Sequence, residues 1–216
     1  MTQAEQPEQS PNTNFTELNR SLQRSEIARA ELLLKVLLVA IGLAVVRNAA
    51  GGTVLTGTTY RLTLLVLLVG LGYAAIIRLV VQRAEHRGVM LPSHLWTATT
   101  VFETLIPTSL LVIRMLYSTL DDISATHSPS MLYYTILAVV SVLRLRPVLC
   151  ILGGVLCAAQ HATLVGIAVA TSSPPVERGV LPLLFSYPVL VLLAWVCAAV
   201  VVQHLRRSIE AQSAGR

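Results

Sequence analysis

Long apolar runs, separated by short polar segments, constrain the fold of this chain more than any other feature. A run of about 20 apolar residues can cross the hydrocarbon core of a bilayer as a helix, which satisfies its own backbone hydrogen bonds where water is absent. Only 12% of the residues are charged and the mean hydropathy is +0.69, whereas a soluble domain is about one-quarter charged. The sequence therefore predicts an all-α, polytopic membrane protein.

Six apolar runs predict a six-transmembrane helix bundle within residues 21–207. Residues 1–20 are polar and contain too few apolar side chains to pack, which predicts a disordered cytoplasmic tail. Residues 203–216 are predicted to begin a cytoplasmic coupling helix or tail. The predicted spans are residues 28–46, 62–81, 95–117, 131–143, 148–170 and 180–202.

The distribution of basic residues predicts the orientation of the bundle. Eleven of the 16 basic residues lie on one side of the predicted spans and three lie on the other. By the positive-inside rule both termini are cytoplasmic, and we expect the protein in a bacterial cytoplasmic (inner) membrane. At span ends these arginines are interpreted as topology signals and lipid-headgroup contacts, so no nucleic-acid partner is expected.

The third span, residues 95–117, contains three residues that lipid disfavours: Glu103, Pro107 and Arg114. An ionisable side chain in hydrocarbon costs at least about 2.5 kcal/mol, so Glu103 predicts a bundle interior of protein or water. Two interpretations of Glu103 stay open. It is either a site for a proton, a cation or a signal, or a structural carboxyl, which burial can keep protonated, hydrogen-bonded to Thr or Ser of a neighbouring helix. Pro107 has no N–H, so the backbone carbonyl of Glu103 lacks its usual helical hydrogen-bond donor. Such a carbonyl could mark a hinge in the helix or serve as a cation ligand.

Arg114 lies near the outer end of the same span. From there its long side chain can reach the membrane interface, or Asp121 and Asp122 in the following loop. Snorkelling is therefore a more ordinary role for Arg114 than gating.

The fifth span carries a stripe of small residues and one histidine. Such a stripe lets another helix approach closely, either within the bundle or across a dimer interface. His161 lies beside the stripe and should face protein. His94, the other histidine near a span, begins the third span at the opposite surface, which argues against a haem or metal held by both. The stripe consists of Gly154, Ala158, Ala162, Gly166 and Ala170.

Sequence motifs for catalysis are missing. There is no phosphate-binding glycine loop, no zinc-binding His–Glu pair on a helix and no nucleophile elbow. We therefore expect a chain that is not an enzyme and that has no metal or cofactor.

Three short segments carry a family resemblance: residues 103–108 (ETLIPT), residues 141–145 (SVLRL) and the glycine pair at 153 and 154. With them, residues 32–207 resemble the six-transmembrane N-terminal module of bacterial class III adenylate cyclases and related signalling proteins. The resemblance implies a membrane anchor that brings two chains together and receives a membrane or extracellular signal. It also implies that the sixth helix continues into the cytosol as a coupling helix.

These observations together predict a non-catalytic membrane anchor and signal-receiving module. We expect it to form a homodimer and to regulate a cytoplasmic output domain or partner, such as a nucleotide cyclase, although the sequence itself contains no cyclase domain. The alternative is a free-standing small transporter or channel that uses Glu103 as an ion-coupling site. Candidate coupling residues are Glu103, Pro107, His161 and Arg114, and the candidate cytoplasmic corner is Ser141, Arg144 and Arg146.

Overall fold

The computed structural model describes residues 11–50, 57–117, 132–172 and 179–214. These residues form six α-helices and no strand, which confirms the prediction of an all-helical chain with six helices. A short 3-10 turn, Val142–Arg144, lies between the fourth and fifth helices and is called the corner. The helices are α1 (Pro11–Ala49), α2 (Gly57–Arg87), α3 (Ser93–Tyr117), α4 (Leu132–Ser141), α5 (Pro147–Thr171) and α6 (Leu181–Ala214).

The first and last helices extend well beyond their apolar runs. Helix α1 begins at Pro11, so the structure places residues 11–20 in a helix where the sequence predicted a disordered tail. Proline is tolerated at the first helical position, and the Glu, Leu, Arg and Gln residues that follow are good helix formers. Helix α6 continues through residues 203–214, the segment predicted to begin a coupling helix.

Among the described residues, four helices are long and apolar enough to cross a membrane: α2, α3, α5 and residues 181–208 of α6. Large apolar side chains cover the outside of the bundle; Leu43, Val148 and Val189 are 65%, 75% and 64% exposed. Soluble monomers rarely expose contiguous apolar surface on this scale. These findings indicate a multi-pass membrane protein.

Helix α4 is too short to cross a bilayer by itself. Together with the corner it covers Leu132–Arg144, or about 20 Å at 1.5 Å per residue, whereas the hydrocarbon core is about 30 Å thick. Six complete crossings therefore stay a prediction.

The corner packs against four of the six helices. The two most extensive helix contacts are α1 with α2 and α5 with α6, and α3 joins these pairs by packing against α2 and α5. The corner itself contacts α1, α4, α5 and α6. A polar side chain on the corner consequently faces the interior of the bundle. The buried core takes residues from all six helices, among them Leu37, Leu67, Leu111, Tyr134, Cys157 and Trp195.

The backbone turns sharply after the corner. Leu145 has a left-handed conformation, φ 51°, and its N–H donates to the carbonyl of Val142 at 3.4 Å. This conformation costs a residue with a side chain roughly 1–2 kcal/mol. Arg146 is then extended, and Pro147 begins α5, where its missing N–H is not needed. The turn leaves Arg144 pointing inward, 1% exposed.

Candidate functional site

Glu103 is held between two arginines inside the bundle. Its Oε1 accepts a hydrogen bond from Nη1 of Arg29 at 2.6 Å, and its Oε2 accepts one from Nη2 of Arg144 at 2.7 Å. The two arginine side chains are each 1% exposed and that of Glu103 is 8% exposed. Each carboxylate oxygen therefore has its own guanidinium, and one side chain of α3 joins α1 to the corner.

A second carboxylate completes the charge balance. Glu26 lies one turn before Arg29 on α1, is 2% exposed, and accepts from Nε of Arg29 at 2.6 Å. The cluster of Glu26, Arg29, Glu103 and Arg144, called the ion network below, contains two acids and two arginines. Buried charges are tolerated when they are paired and hydrogen-bonded. The interior of the bundle thus carries four charged groups with no formal net charge.

Helix α3 fixes Arg144 along two of its turns. Arg144 donates to the carbonyl of Trp96 at 3.1 Å and also to the hydroxyl of Thr100. Trp96, Thr100 and Glu103 lie at positions i, i+4 and i+7, so they share one face of α3. The hydroxyl of Thr100 donates in turn to the Trp96 carbonyl at 2.9 Å. The corner is thereby attached to α3 by several polar contacts as well as by packing.

The end of the bundle nearest the ion network is closed by aromatic and polar contacts. The guanidinium carbon of Arg146 lies 5.4 Å from the centre of the Trp96 ring, a cation–π arrangement. Partial burial lowers the pKa of Arg146 from its ordinary value. A cavity beside Trp96 and Arg146 has a volume of only about 20 Å³, which holds one water molecule. This cavity is therefore too small for a hydrated ion.

A second polar cluster lies one to two turns further along α3. The hydroxyl of Thr108 contacts the hydroxyl of Tyr134 at 2.8 Å and Oε1 of Gln160 at 2.6 Å. It also contacts the carbonyl of Thr104 at 2.9 Å. The preceding residue, Pro107, is buried, and α3 continues through it to Tyr117. Neutral hydrogen bonds thus connect α3 to α4 and α5 here, whereas ion pairs hold the other end.

His161 is fully buried, and its ring meets Tyr134 edge-on at 5.9 Å between centres. This agrees with the expectation that it faces protein. His94 lies exposed near the start of α3. Within the described ranges, no three His, Cys, Asp or Glu side chains come together in a way that could hold a metal ion.

Close packing on α5 begins where the stripe predicted it. A Cβ built on Gly154 would lie 2.5 Å from Cβ of Trp195, and one on Gly153 would lie 2.4 Å from the Trp195 ring. Real Cβ atoms essentially never approach other atoms so closely, so these two glycines allow α6 to pack directly against α5.

The rest of the stripe turns away from the core. Ala158, Ala162 and Gly166 are half-buried, and Ala170 is exposed. Because a helix has 3.6 residues per turn, each four-residue step rotates the position by about 40°. A straight helix cannot point all five stripe residues at one neighbour. The buried face follows mixed steps of three and four instead: Gly154, Cys157, His161, Leu164 and Ala168.

Arg114 lies apart from both polar clusters. It is half-buried near the end of α3, and the described part of the chain gives it no ion pair. Its predicted partners, Asp121 and Asp122, lie outside the described residues. The third candidate at the corner, Ser141, is buried and donates to the carbonyl of Ala138 at 2.7 Å.

Two arginines are placed differently from the sequence interpretation. Arg29 and Arg144 were assigned to lipid headgroups, but each is 1% exposed and bound to Glu103. The headgroup contact was therefore wrong for both, because each guanidinium is buried in the bundle and its charge is paired with the carboxylate of Glu103. Of the two open interpretations of Glu103, the one with a Thr or Ser hydroxyl as partner also differs from the structure, in which the two hydrogen-bond donors to its carboxylate are guanidinium groups.

Glu26 and Arg29 were not proposed as site residues from the sequence. One signal was available: Arg29 and Glu103 lie in the halves of their predicted spans that face the predicted cytoplasmic side, and Arg144 directly follows the fourth predicted span on that side. An acid and two bases at one depth favour pairing with each other. No family model, curated protein or solved structure matches this chain. The site is therefore interpreted from its geometry.

Proposed function

We propose that this chain is a non-catalytic membrane module that receives a signal within its bundle and passes a conformational change through α6 to a cytoplasmic partner or output domain. The observation that carries the proposal is the continuity of α6. It runs as one helix from Leu181 to Ala214, past the end of its apolar run at Val202. Residues 203–208 are exposed. A helix that crosses the membrane without a break can move as a body and shift its distal end.

The ion network supplies a way to set the position of that helix. The corner contacts α6 directly, and Glu103 fixes Arg144 of the corner to α3. Separating one partner leaves an uncompensated buried charge, which costs about 3–5 kcal/mol. The bundle therefore favours discrete arrangements over continuous deformation. A ligand changes their balance only by binding two arrangements with different affinities.

Close packing between α5 and α6 transmits a movement of the corner to α6. Pro147 begins α5 three residues after Arg144, and Trp195 of α6 lies against Gly153 and Gly154 of α5. Because these contacts leave no free space, a shift of the first turns of α5 displaces α6 with it. The coupling route is thus Glu103, the corner, α5 and α6.

We also propose six crossings with both termini in the cytosol of a bacterial cell. The part of α1 around Gln23, the α2–α3 turn and the corner meet at one end of the bundle, where Gln23 donates to the carbonyl of Val89 at 2.8 Å. The excess of basic residues lies at this end, which favours a cytoplasmic location. A homodimer is supported by Gly166, where a Cβ would meet nothing within 4 Å, so a second copy has room to approach.

The alternative of a transporter or channel has less support from the geometry. A coupling carboxylate needs access for its ion, and both oxygens of Glu103 are bound to arginines. The ion network is better suited to hold helices in position.

The proposal is tested by measuring whether the ion network controls the position of α6. In the full chain with Cys197→Ser, spin labels at Ala28→Cys and His204→Cys report the distance between α1 and α6 by double electron–electron resonance. We expect Glu103→Gln to shift or broaden the distance distribution, and Glu31→Gln, at an exposed ion pair on α1, to leave it unchanged. An identical distribution in wild type and Glu103→Gln would contradict coupling through the network.

A further inference from the structure

An open apolar cavity, called the lateral cavity below, lies between α1 and α4. Its volume is about 270 Å³, close to the lower end of the range of about 300–1,000 Å³ found for ligand pockets. One wall is the face of α1 from Lys35 to Leu43, and the other is formed by Tyr133 and Ile136 of α4. Along α1 the cavity is about 12 Å long at about 1.5 Å per residue. Both walls lie inside predicted spans, so the cavity opens toward hydrocarbon.

Two arginines lie at the end of the lateral cavity that is farther from the ion network. Arg47 follows Leu43 by one helical turn and therefore continues the cavity face of α1. Arg114 of α3 interacts electrostatically with both Arg47 and Tyr133. The two arginines are half-buried, and neither forms an ion pair with a described residue. Because their like charges repel each other, an anion between them would be stabilised.

The opposite end of the lateral cavity differs in charge. Lys35 lines it with its aliphatic part, but its Nζ lies 3.1 Å from Oε1 of Glu31 and is thus already paired. The cavity therefore has an apolar body, a neutralised cation at one end and two guanidinium groups without a described anion at the other. This arrangement is complementary to a molecule with one anionic end and one apolar chain.

We propose that the lateral cavity binds a long-chain fatty acid, with its carboxylate between Arg47 and Arg114 and its chain along α1. Guanidinium groups bind carboxylate oxygens through charge-assisted hydrogen bonds. The ion network shows the same arrangement within the protein, since the carboxylate of Glu103 lies between Arg29 and Arg144. An acyl chain gains little when it moves from lipid into an apolar cavity. The two arginines therefore decide which chain is retained.

The depth of the arginines favours a fatty acid over a phospholipid. Arg114 lies about 5 Å inside the end of α3 at Tyr117, and its side chain is half-buried. A fatty acid carries its carboxylate directly on the chain, whereas a phospholipid separates its phosphate from its chains by a glycerol diester. The chain of a fatty acid can thus begin beside Tyr133 while its carboxylate stays within reach of both arginines.

The experiment locates the bound chain by photolabelling. The full chain is placed in nanodiscs of phosphatidylcholine at mildly alkaline pH, which keeps the carboxylate ionised. Palmitate with a diazirine in the middle of its chain is added and activated by light, and the labelled residues are identified by mass spectrometry. We expect labels within residues 36–43 and 133–136. Unlabelled palmitate should compete, and hexadecanol should need at least about a tenfold higher concentration because it lacks the charge-assisted hydrogen bonds.

Two sets of variants test the charged end. Arg47→Gln with Arg114→Gln should raise the concentration of palmitate needed for half-competition at least about 30-fold and leave that of hexadecanol unchanged. Arg61→Gln, an exposed arginine of α2 at the same end of the bundle, is the matched control and should change it by no more than about fivefold.

A second pair of variants tests the apolar body. Val39 lines the lateral cavity and is 62% exposed, so Val39→Trp can occupy the cavity from its open side. This variant should lower the labelling yield about fivefold or more. Leu38, which is 56% exposed and does not line the cavity, provides the control Leu38→Trp, with the yield of wild type.

Several results would overturn the proposal. Labels scattered over the lipid-facing helices would show that no site exists, and equal competition by phosphatidylglycerol and palmitate would indicate a phospholipid instead. The absence of palmitate binding, as expected if Asp121 and Asp122 already neutralise the arginines, would also refute it. So would a double arginine variant that behaves like Arg61→Gln. None of these variants changes the ion network, so failure here leaves the signalling proposal standing.

Discussion

Replacing Glu103 by glutamine should destabilise the bundle far more than an ordinary surface substitution. The side chain keeps its size, but the charge shared by Arg29 and Arg144 is lost. Two charge-assisted hydrogen bonds, at 2.6 and 2.7 Å, are weakened, and each is worth about 1.5–3 kcal/mol. Arg29 keeps Glu26, but Arg144 keeps only a hydroxyl and a carbonyl. Leaving a buried charge without its partner costs about 3–5 kcal/mol, which is the loss we expect in the free energy of unfolding.

The assay is a double-mutant cycle. Unfolding in mixed micelles, with increasing sodium dodecyl sulfate and circular dichroism as the signal, gives the free energy of unfolding for wild type, Glu103→Gln, Arg144→Gln and the double variant. The double variant removes one charge of each sign and leaves Glu26 paired with Arg29. It should therefore be less destabilised than the sum of the single variants, by about 1–3 kcal/mol.

Glu31→Gln is the matched control for this cycle. Glu31 is 43% exposed; it pairs with Lys35 at 3.1 Å on the same face of α1 and, at 3.9 Å, with Arg78 of α2. Exposed ion pairs such as these are worth about 0–1 kcal/mol each. If Glu103→Gln costs no more than Glu31→Gln, or if the two single effects simply add, the ion network does not stabilise the bundle as argued here.

Two further predictions concern packing and the second polar cluster. Gly154→Ala should cost about 1–3 kcal/mol in the same assay, because its Cβ would lie 2.5 Å from Cβ of Trp195; Gly166→Ala, with nothing within 4 Å, should be neutral or gain up to about 1 kcal/mol from helix propensity. Equal effects of the two alanines would refute the packing argument. Thr108→Val should cost about 1–3 kcal/mol, since it leaves the hydroxyl of Tyr134 and the amide of Gln160 without their partner. A Thr108→Val protein as stable as wild type would contradict that role.

The helices could be predicted because each apolar run is itself the signal for a membrane helix. The interior position of Glu103 was also predictable, since lipid excludes a carboxylate. Its partners were not. Arg29 and Arg144 lie 74 and 41 residues away in sequence, and hydrophobic periodicity indicates which face of a helix is buried but not which helix it meets.

Counting arginines predicts an orientation of the bundle but not the role of each arginine. The positive-inside rule counts every basic residue at a span end equally, whether its side chain reaches the headgroups or turns into the bundle. Arg29 and Arg83 illustrate the difference: the first is buried in the ion network, and the second is exposed. Only the three-dimensional position of Glu103 separates them.

The small-residue stripe shows a similar limit. Its spacing correctly indicated a close helix contact at Gly154, but a strict four-residue repeat drifts around the helix, and its last member, Ala170, is exposed. Gly153, which meets the same tryptophan, did not fit the repeat. The size of Trp195 rather than the repeat decides where the two helices touch.

The most direct test of the account is the protonation state of Glu103 in a bilayer. Infrared difference spectra between wild type and Glu103→Gln, recorded at neutral pH with glutamate labelled by carbon-13, isolate the absorption of this one carboxyl. A carboxylate held between Arg29 and Arg144 predicts the loss of an ionised carboxylate band in the variant. The loss of a protonated carbonyl band instead would contradict the ion network on which the proposed function rests.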